Sequence, residues 1–334
     1  MSAAASRITA SVDLDAPGRQ LGYYRIPHSD DAMPYGHRGP IAVLAAGEGP
    51  TLLLTGGVHG DEYAGPVALM RLVHGLDLAA LRGRVIVLPA VNAPAVRAAA
   101  RCSPLDGGNM NRAFPGDPDG GPTAMIAHWI ESRILPLCDA AIDFHSGGKA
   151  SDYEPIVMLN REPPAVFERA MTLVRAFGVE LVWLMGAMND NRSVNAAAQR
   201  TGVPMFACEL GGRGESNPAM NDIAWRGALG VMRAMGMLDD EPPLAAQHIR
   251  LVEVTHPRCN VVAPHGGLFD PLVELGCEVR AGQLAGWIRD PFEIERPPTA
   301  VHFEIDGHLA IRCSRGLVQG GEKLFGLVTD VLAD

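Results

Sequence analysis

Lysine is almost absent from this chain of 334 residues, which carries only Lys149 and Lys323. Basic side chains number 28 against 38 acidic ones, giving a formal net charge of -10 at pH 7. A binder of nucleic acid or of anionic membranes needs a basic face, so this balance predicts neither partner. The sequence also lacks a run of roughly 20 apolar residues, which a membrane helix requires, and an apolar N-terminal stretch typical of a signal peptide.

Paired cysteines are missing as well. The six cysteines lie far apart along the chain, and none forms a C-x-x-C pair. This pattern argues against a disulfide framework and against a thiolate zinc site, and it predicts reduced thiols in a cytoplasmic protein. Any metal must therefore be held by histidines and carboxylates. Hydrophobic residues at 47% and charged residues at 20% indicate a folded globular protein.

Short apolar runs alternate with helix-forming segments from Gly49 to Met237, after edge strands or a β-hairpin predicted for residues 1–48. This alternation predicts a mostly parallel sheet with helices on both faces. The predicted strands are Thr51–Thr55, Arg84–Leu88, Ala140–Phe144, Glu180–Leu184 and Pro204–Glu209, and the predicted helices are Asp61–Leu76, Pro122–Leu137, Pro163–Phe177, Ser193–Arg200 and Pro218–Met237.

The polar, proline-rich run Asp239–Pro243 predicts a domain boundary, with a catalytic α/β domain over 1–242 and a C-terminal domain over 243–334. After about Gln247, short apolar runs separated by glycine turns predict an all-β region. The segments around Ala263–Gly267 and Val279–Gln283 resemble a lipoyl- or biotin-carrier half-barrel. A carrier needs a lysine at a hairpin tip, and the absence of lysine between Lys149 and Lys323 argues against that function.

The first chemically informative segment is GGVHGDE, in which His59 and Glu62 stand three residues apart at a strand-to-helix junction. Residues with this spacing lie on the same side of a helical turn, so both side chains can face one ion. A set of two histidines and one glutamate binds zinc and leaves a coordination position open. The spacing alone is a weak signal, because a turn histidine beside a solvated glutamate gives the same pattern.

Two further polar groups follow predicted buried strands. Asp143 and His145 end one strand, and Glu209 ends another. The carboxyl ends of strands in an open α/β sheet are where ligands bind, and Asp143 is placed to orient a metal ligand. Taken singly, His145 is also explained as a hydrogen-bonded turn histidine, and Glu209 as one half of a salt bridge.

A glycine- and asparagine-rich loop lies between Arg101 and Gly116 and contains Asn111 and Arg112. A planar guanidinium in such a loop can bind a carboxylate through two parallel hydrogen bonds. The alternative is that these arginines lie on a solvated surface.

The order and context of these four segments resemble the succinylglutamate desuccinylase/aspartoacylase family, relatives of the zinc carboxypeptidases. The family pattern of H-x-x-E, N-R-x-F, D-x-H and a strand-borne glutamate stands here as His59/Glu62, Asn111–Phe114, Asp143–His145 and Glu209. The resemblance covers roughly residues 40–330. It implies an α/β fold with a mixed, zinc-carboxypeptidase-like sheet flanked by helices, and a smaller C-terminal all-β domain that covers the cleft.

The resemblance also implies roles for single residues. One Zn²⁺ per chain would be bound by His59, Glu62 and His145. Glu209 would accept a proton from the attacking water and pass it to the leaving amine.

The same resemblance assigns the loop residues. Arg101 would lie beside the developing oxyanion, and Asn111 and Arg112 would hold the α-carboxylate of the substrate. Arg97 is the alternative to Arg101, because the loop before N-R-x-F varies in length; the A-R-C-S-P context favours Arg101.

Three segments, GGVHGDEYAGP, SPLDGGNMNRAFPG and APHGGLFDPLVELG, resemble one branch of the family in particular. That branch removes the acetyl group from Nα-acetyl-L-2,4-diaminobutyrate in ectoine breakdown, giving acetate and L-2,4-diaminobutyrate. The alternative is a desuccinylase or deacylase of another small N-acyl amino acid, such as N-succinylglutamate or N-acetylaspartate. A non-catalytic zinc-binding protein is the alternative from another class, and Glu209 argues against it.

Several points stay open in the sequence. Asp190 and Glu215 are candidates to face a cationic substrate side chain, without an assignment between them. His265, His302 and His308 invite metal-binding interpretations, but turn and strand histidines are usually structural. A homo-oligomer is consistent with the sequence.

Overall fold

The computed structural model of the protein describes residues 5–30, 33, 36–161, 163–186, 190–239 and 248–331. The predicted domain boundary between residues 242 and 243 lies outside these ranges, as do residues 1–4 of the predicted N-terminal strand region. The division into two domains therefore stays a prediction.

Eighteen strands are found in the described part of the chain. In chain order they are β1 Thr9–Ala10, β2 Gly18–Ile26, β3 His37–Ala46, β4 Thr51–Gly56, β5 Gly83–Leu88, β6 Ala140–His145, β7 Ser151–Leu159, β8 Leu181–Leu184, β9 Met205–Gly212, β10 Arg250–Glu253, β11 Asn260–Val262, β12 Gly267–Pro271, β13 Glu278–Val279, β14 Leu284–Arg289, β15 Thr299–His302, β16 Gly307–Cys313, β17 Leu317–Val318 and β18 Lys323–Asp330.

The centre of the large sheet is parallel and its flanks are antiparallel. Strands β5, β4, β6 and β9 lie side by side in parallel, with β3 antiparallel to β5 at one side and β7 antiparallel to β9 at the other. The central strands are buried on both faces, which is why β4 reads as the continuous apolar run Leu52–Leu54. The predicted mixed α/β fold is confirmed.

Helices cover both faces of this sheet. The apolar sides of α1, α4 and α6 pack on one face and those of α3 and α5 on the other. Asn92, Ser193 and Asn217 cap three of the helices by accepting hydrogen bonds from backbone N–H groups in the first turn. The helices are α1 Ala64–Gly75, α2 Ala93–Arg97, α3 Pro122–Trp129, α4 Pro164–Phe177, α5 Val194–Thr201 and α6 Pro218–Ala234.

Three predicted helices differ from the structure, one of them only in that it ends at Ala234 and not at Met237. The helix predicted from Asp61 begins only at Ala64, because the ring of Pro66 would clash with the carbonyl of Glu62 if that residue were already helical. The helix predicted over Pro122–Leu137 is regular only to Trp129 and continues as a π-type turn and a 3₁₀ turn.

Strand β7 has no counterpart in the sequence-based prediction. Its segment SDYEPIVML is interrupted by charges and by Pro155, which hide the apolar pattern of a strand. The register of β7 against β9 shifts between Tyr153 and Ile156, and such a bulge is a place where a sheet tolerates proline.

Five strands close into a ring. β7 pairs with β8, β8 with β10, β10 with β18, β18 with β16, and β16 again with β7. Apolar side chains such as Ile156, Trp183 and Ile311 fill the ring. Both predicted regions of the chain contribute strands to it, so this ring joins the catalytic region to the C-terminal β region.

A second sheet has the strand order β15–β14–β12–β17. It shares an apolar core with β16 and β18 that includes Phe269, Phe303 and Phe325. Within the described ranges, no helix is both long and apolar enough to cross a membrane.

Candidate metal centre and active site

Four of the predicted site residues meet at the carboxyl edge of the parallel strands. His59 and Glu62 lie in the turn between β4 and α1, and His145 is the last residue of β6. Glu209 in β9 is the direct register partner of His145. Because adjacent parallel strands end at the same edge, residues far apart in sequence become neighbours here.

The turn that carries His59 and Glu62 depends on glycine. Gly57 adopts a φ of 66°, which favours a residue without a Cβ atom. A Cβ at Gly60 would lie 2.0 Å from the carbonyl carbon of Ala95. The GGVHG sequence thus lets the chain turn closely against α2, and this turn, rather than a helical turn, brings His59 and Glu62 together.

The carboxylate of Glu62 lies between the two histidines. Its Oε1 is 2.7 Å from His59 Nδ1, and its Oε2 is 2.8 Å from His145 Nδ1. One potential ligand atom from each of the three residues lies within 4.8 Å of the others, and all three residues are buried. Two imidazole nitrogens and a carboxylate oxygen at this spacing form a donor set suited to zinc.

The far side of each imidazole is held by an oxygen atom. His145 Nε2 lies 2.6 Å from Asp143 Oδ2, and His59 Nε2 lies 3.1 Å from Asn109 Oδ1. An oxygen acceptor at Nε2 lets that nitrogen donate its proton outward, which leaves Nδ1 as the nitrogen that would give its lone pair to a metal. Both rings are therefore oriented with their potential metal-binding nitrogen toward one point.

The ionisation of the cluster follows from its charges. Burial acts to raise the pKa of Glu62, but the charges and hydrogen bonds of His145 and His59 outweigh it and lower this pKa to about 2. For His145, burial acts to lower the pKa, and the carboxylates of Asp143 and Glu62 reverse this and raise it. Each partner thus stabilises the charged form of the other.

The pKa of Glu209 is shifted in the opposite direction from that of Glu62. Its Oε2 is buried and has no hydrogen-bond partner within the described ranges. Burial, and then the negative charge of Glu62, raise the pKa of Glu209 to about 8, although His145 and Arg101 partly offset the shift. The site therefore holds one carboxylate that is firmly ionised and one that changes protonation near neutral pH.

Arg101 reaches this cluster, whereas Arg97 does not take that place. The Nη1 atom of Arg101 lies 3.3 Å from Glu62 Oε1, and its side chain is 52% exposed. Arg97 is an exposed residue in the last turn of α2. Arg101 is therefore the arginine with its guanidinium at the rim of the site.

Asn111 and Arg112 lie further from the ligand atoms. Asn111 Oδ1 accepts a hydrogen bond from Val194 N at the start of α5, at 3.0 Å. Arg112 Nε lies 3.0 Å from Asp190 Oδ2, and its Nη1 donates to Asn111 O at 2.6 Å. Asn109 connects this loop to the cluster, because its Oδ1 also accepts a hydrogen bond from Asn111 N at 3.0 Å.

Sequence reasoning missed three supporting residues. Asn109 holds His59, as described above. Lys149 donates its backbone N–H to Asp61 Oδ2 at 2.9 Å and its Nζ to Ala99 O at 2.7 Å, so it ties the loop after His145 to the turn that carries Glu62. The rarity of lysine in the chain was a signal that could have pointed to Lys149. Asn109 and Asp61 lie within the motifs named above, but nothing in the sequence distinguishes them from other loop residues.

The remaining candidates lie elsewhere. Glu215 is exposed in the turn after β9. His265 is held by Gly266 O and Thr299 Oγ1, His302 is exposed in β15, and His308 lies between two carboxylates. In the described part of the chain, only His59, Glu62 and His145 form a group that meets the spacing of a metal site.

Known proteins are similar to this chain in sequence. A model of the succinylglutamate desuccinylase/aspartoacylase catalytic domain matches residues 48–235. The chain is 36% identical to the N-alpha-acetyl-L-2,4-diaminobutyric acid deacetylase of Halomonas elongata over 321 residues, which is 96% of this chain and 94% of that protein.

Two solved structures of related proteins have the same fold along almost the whole chain. The product-bound ectoine utilization protein EutE (DoeB) from Ruegeria pomeroyi superposes with a TM-score of 0.93 at 33% identity, covering 98% of this chain and all of that one (100%). A succinylglutamate desuccinylase/aspartoacylase from Rhodobacter sphaeroides superposes with a TM-score of 0.91 at 36% identity, with 98% and 100% coverage.

The fold, the site and these matches first define a class: the protein is a hydrolase of the kind that cleaves N-acyl amide bonds. More closely, the chain belongs to the succinylglutamate desuccinylase/aspartoacylase family, as its motifs indicated.

Proposed function

We propose that the protein is a zinc-dependent amidohydrolase that removes the acetyl group from Nα-acetyl-L-2,4-diaminobutyrate, releasing acetate and L-2,4-diaminobutyrate in ectoine breakdown. The observation that carries this proposal is the convergence of His59, Glu62 and His145 beside Glu209, whose Oε2 is buried. The similarity to the Halomonas elongata deacetylase along nearly the whole chain supports the choice of substrate.

One Zn²⁺ would be held by Nδ1 of His59, Nδ1 of His145 and the carboxylate of Glu62. When bound, zinc supplies Lewis acidity, which polarises an acyl oxygen and makes water more acidic. The chain prepares this site in advance, because Asp143 and Asn109 orient the two imidazoles.

Glu209 is the proton carrier in the proposed reaction. It accepts a proton as water adds to the acyl carbon and gives it to the amine nitrogen as the C–N bond breaks. A pKa raised to about 8 suits a group that must both accept and donate a proton near neutral pH. The new C–O bond leaves with acetate, and the protonated nitrogen leaves with the diamino acid.

The arginines are assigned to the two negative groups of the reacting substrate. Arg101 lies beside Glu62 at the rim of the site and would stabilise charge developing on the acyl oxygen. Arg112 and Asn111 would hold the α-carboxylate. With Arg112 Nε on Asp190 and Nη1 on Asn111 O, its Nη2 is the part of the guanidinium that we assign to the substrate.

The test is a hydrolysis panel with zinc-loaded protein. Nα-acetyl-L-2,4-diaminobutyrate is compared with N-acetylaspartate and N-succinylglutamate, and released acetate or succinate is measured. We expect the highest kcat/KM for the acetylated diamino acid. Preference for either anionic substrate would replace the proposed substrate by the alternative that the Rhodobacter sphaeroides relative suggests, and no release from any of the three would contradict an amidohydrolase of small N-acyl amino acids.

Glu209→Gln is the control in this panel. It removes the proton carrier and keeps the volume of the side chain, so turnover should fall by about 10²–10⁴-fold while the zinc content stays at one per chain. Turnover equal to that of the parent protein would remove Glu209 from the mechanism. The cytoplasmic location and a homo-oligomer remain predictions beside this function.

A further inference from the structure

Tyr153 stands where the ring of five strands meets the active site. It lies in β7, opposite Gly211 of β9 and opposite Ile311 of β16. Gly211 is only two residues beyond Glu209. The aromatic ring of Tyr153 packs on the apolar core of the strand ring, to which Ile156, the register partner of Glu209, also belongs.

The hydroxyl of Tyr153 makes no hydrogen bond with any residue in the described ranges. Burial, followed by the negative charges of Glu209 and Glu62, raises the pKa of this phenol far above its usual range, and Arg101 only partly offsets the shift. The phenol thus lies within electrostatic reach of the active-site groups Glu209, Glu62 and Arg101. Its side chain is only partly buried, and within the described ranges its protonated O–H group has no acceptor.

Tyr24 shows what a structural hydroxyl looks like in this fold. It is fully buried and donates its hydroxyl to Val91 O at 2.5 Å, as buried tyrosine hydroxyls normally do. The hydroxyl of Tyr153 differs, because its side chain is partly exposed and it has no partner in the described ranges. It is therefore available to a substrate atom.

Only one substrate atom is a free acceptor in this position. The α-carboxylate is assigned to Asn111 and Arg112, and the amide nitrogen receives its proton from Glu209. The acyl oxygen remains, and Arg101, half exposed and in contact with Glu62, is the one side chain so far assigned to it. Charge that develops on a buried oxygen is best stabilised by donors that are already in place.

Building on the proposed deacetylation, we propose that Tyr153 is a further catalytic residue, whose hydroxyl donates a hydrogen bond to the acyl oxygen of the substrate as negative charge develops on it. Its packing on the strand ring fixes the position of the phenol oxygen before the substrate binds. Tyr153 and Arg101 then approach the same oxygen, one as a neutral donor and the other as a charged donor.

The experiment compares Tyr153→Phe with Tyr24→Phe in zinc-loaded protein. Tyr153→Phe should lower kcat by about 10²-fold with little change in KM, because the lost interaction is made mainly in the transition state. Tyr24→Phe should lower the thermal unfolding midpoint and leave kcat within about twofold of the parent. Bound zinc should remain at one per chain in both variants.

Ligand binding gives a readout that does not depend on turnover. A methylphosphonamidate analogue of the substrate carries tetrahedral, anionic oxygens where the acyl group reacts, whereas L-2,4-diaminobutyrate lacks the acyl oxygen. By calorimetry, Tyr153→Phe should weaken binding of the phosphonamidate by about 10²-fold and leave binding of the diamino acid unchanged.

These measurements distinguish a failure of the proposed function from a failure of the proposed role of Tyr153. If the unsubstituted enzyme releases no acetate, the proposed function is wrong. If it releases acetate and Tyr153→Phe keeps the parental kcat, or weakens both ligands equally, then the function stands and the role of Tyr153 is overturned.

Discussion

The molecule contains two groupings of histidine and carboxylate side chains that differ in purpose. The active-site cluster consists of the buried residues His59, Glu62, Asp143 and His145. The ring cluster is partly exposed; it consists of Glu154, Arg250, His308 and Asp330 on strands of the ring and of Glu278 on the adjoining β13.

The difference between them is the direction in which the imidazoles point. In the active-site cluster, Nδ1 of two histidines faces one carboxylate, and the Nε2 atoms are held from behind. In the ring cluster, one histidine has carboxylates on opposite sides: His308 Nε2 is 2.5 Å from Glu154 and Nδ1 is 3.0 Å from Glu278. In the first arrangement two imidazoles share one carboxylate, so three potential ligand atoms lie together; in the second a single imidazole lies between two carboxylates.

The two clusters also differ in the position of their nearest arginine. Arg250 lies 2.7 Å from Glu278 and 2.6 Å from Asp330, so the ring cluster contains its own cation. In the active-site cluster, the nearest guanidinium is the half-exposed Arg101. Similar residue types thus form a structural junction in one place and a prospective metal site in the other, because of arrangement rather than composition.

The largest expected effect separates the two clusters directly. Glu62→Gln removes the carboxylate shared by both histidines, so zinc should be lost and kcat/KM for the acetylated diamino acid should fall by roughly 10³-fold, since a metal contributes several kcal/mol to such transition states. Glu278→Gln, which removes a carboxylate from His308, should leave kcat/KM within about twofold of the parent. Steady-state kinetics and the zinc content of both variants test this contrast; similar losses in both would mean that the clusters act as one unit.

The sequence revealed the active-site cluster and not the ring cluster for a physical reason. His145 and Glu209 end buried strands, and a strand end is visible as the last polar residue of an apolar run. Parallel packing then brings such ends together. Of the partners of His308, Glu278 lies opposite it on the neighbouring strand β13. Glu154 lies on β7, which meets β16 where the ring closes and whose apolar pattern is broken by Pro155.

The same limit applies to the loop residues. The N-R-x-F motif marked Asn111 and Arg112, but the contact of Asn109 with His59 depends on how a loop 50 residues further along the chain folds back. Likewise, the pairing of Arg112 with Asp190 joins two loops that no local pattern relates. Residues at the ends of apolar strands and in local motifs were therefore predictable, and contacts between distant loops were not.

An intermediate effect is expected from the carboxylate that orients His145. Asp143 is fully buried and receives a hydrogen bond from Thr55 Oγ1 at 2.7 Å. Asp143→Asn keeps the shape but removes the negative charge behind the imidazole, so zinc affinity should fall about 10–100-fold. Glu154→Gln makes the equivalent change behind His308 and should leave zinc affinity unchanged. Competition with a fluorescent zinc chelator measures both; an unchanged affinity in Asp143→Asn would show that Asp143 does not support the ligand.

The smallest expected effect is a pH-dependent one, and it belongs to the ring cluster alone. The hydrogen bond to Glu154 raises the pKa of His308, and that to Glu278 adds to it, against the opposing effects of burial and of Arg250. Because the folded-state pKa lies above the unfolded value of 6.5, the imidazolium stabilises the fold fully below about pH 6.5, and this contribution is lost as the pH rises through the folded-state pKa.

His308→Gln should therefore lower the free energy of unfolding most at pH 5.5–6.5, by an amount on the order of 1 kcal/mol, and progressively less at higher pH, and the thermal midpoint should follow. Midpoints of parent and variant, measured at several pH values with zinc in excess, isolate this difference. A gap that is constant with pH would mean that His308 contributes only packing. A gap that closes with rising pH, in a variant whose kcat is unchanged, would show that a lone histidine between two carboxylates stabilises the fold, whereas two histidines that share one carboxylate form the prospective metal site.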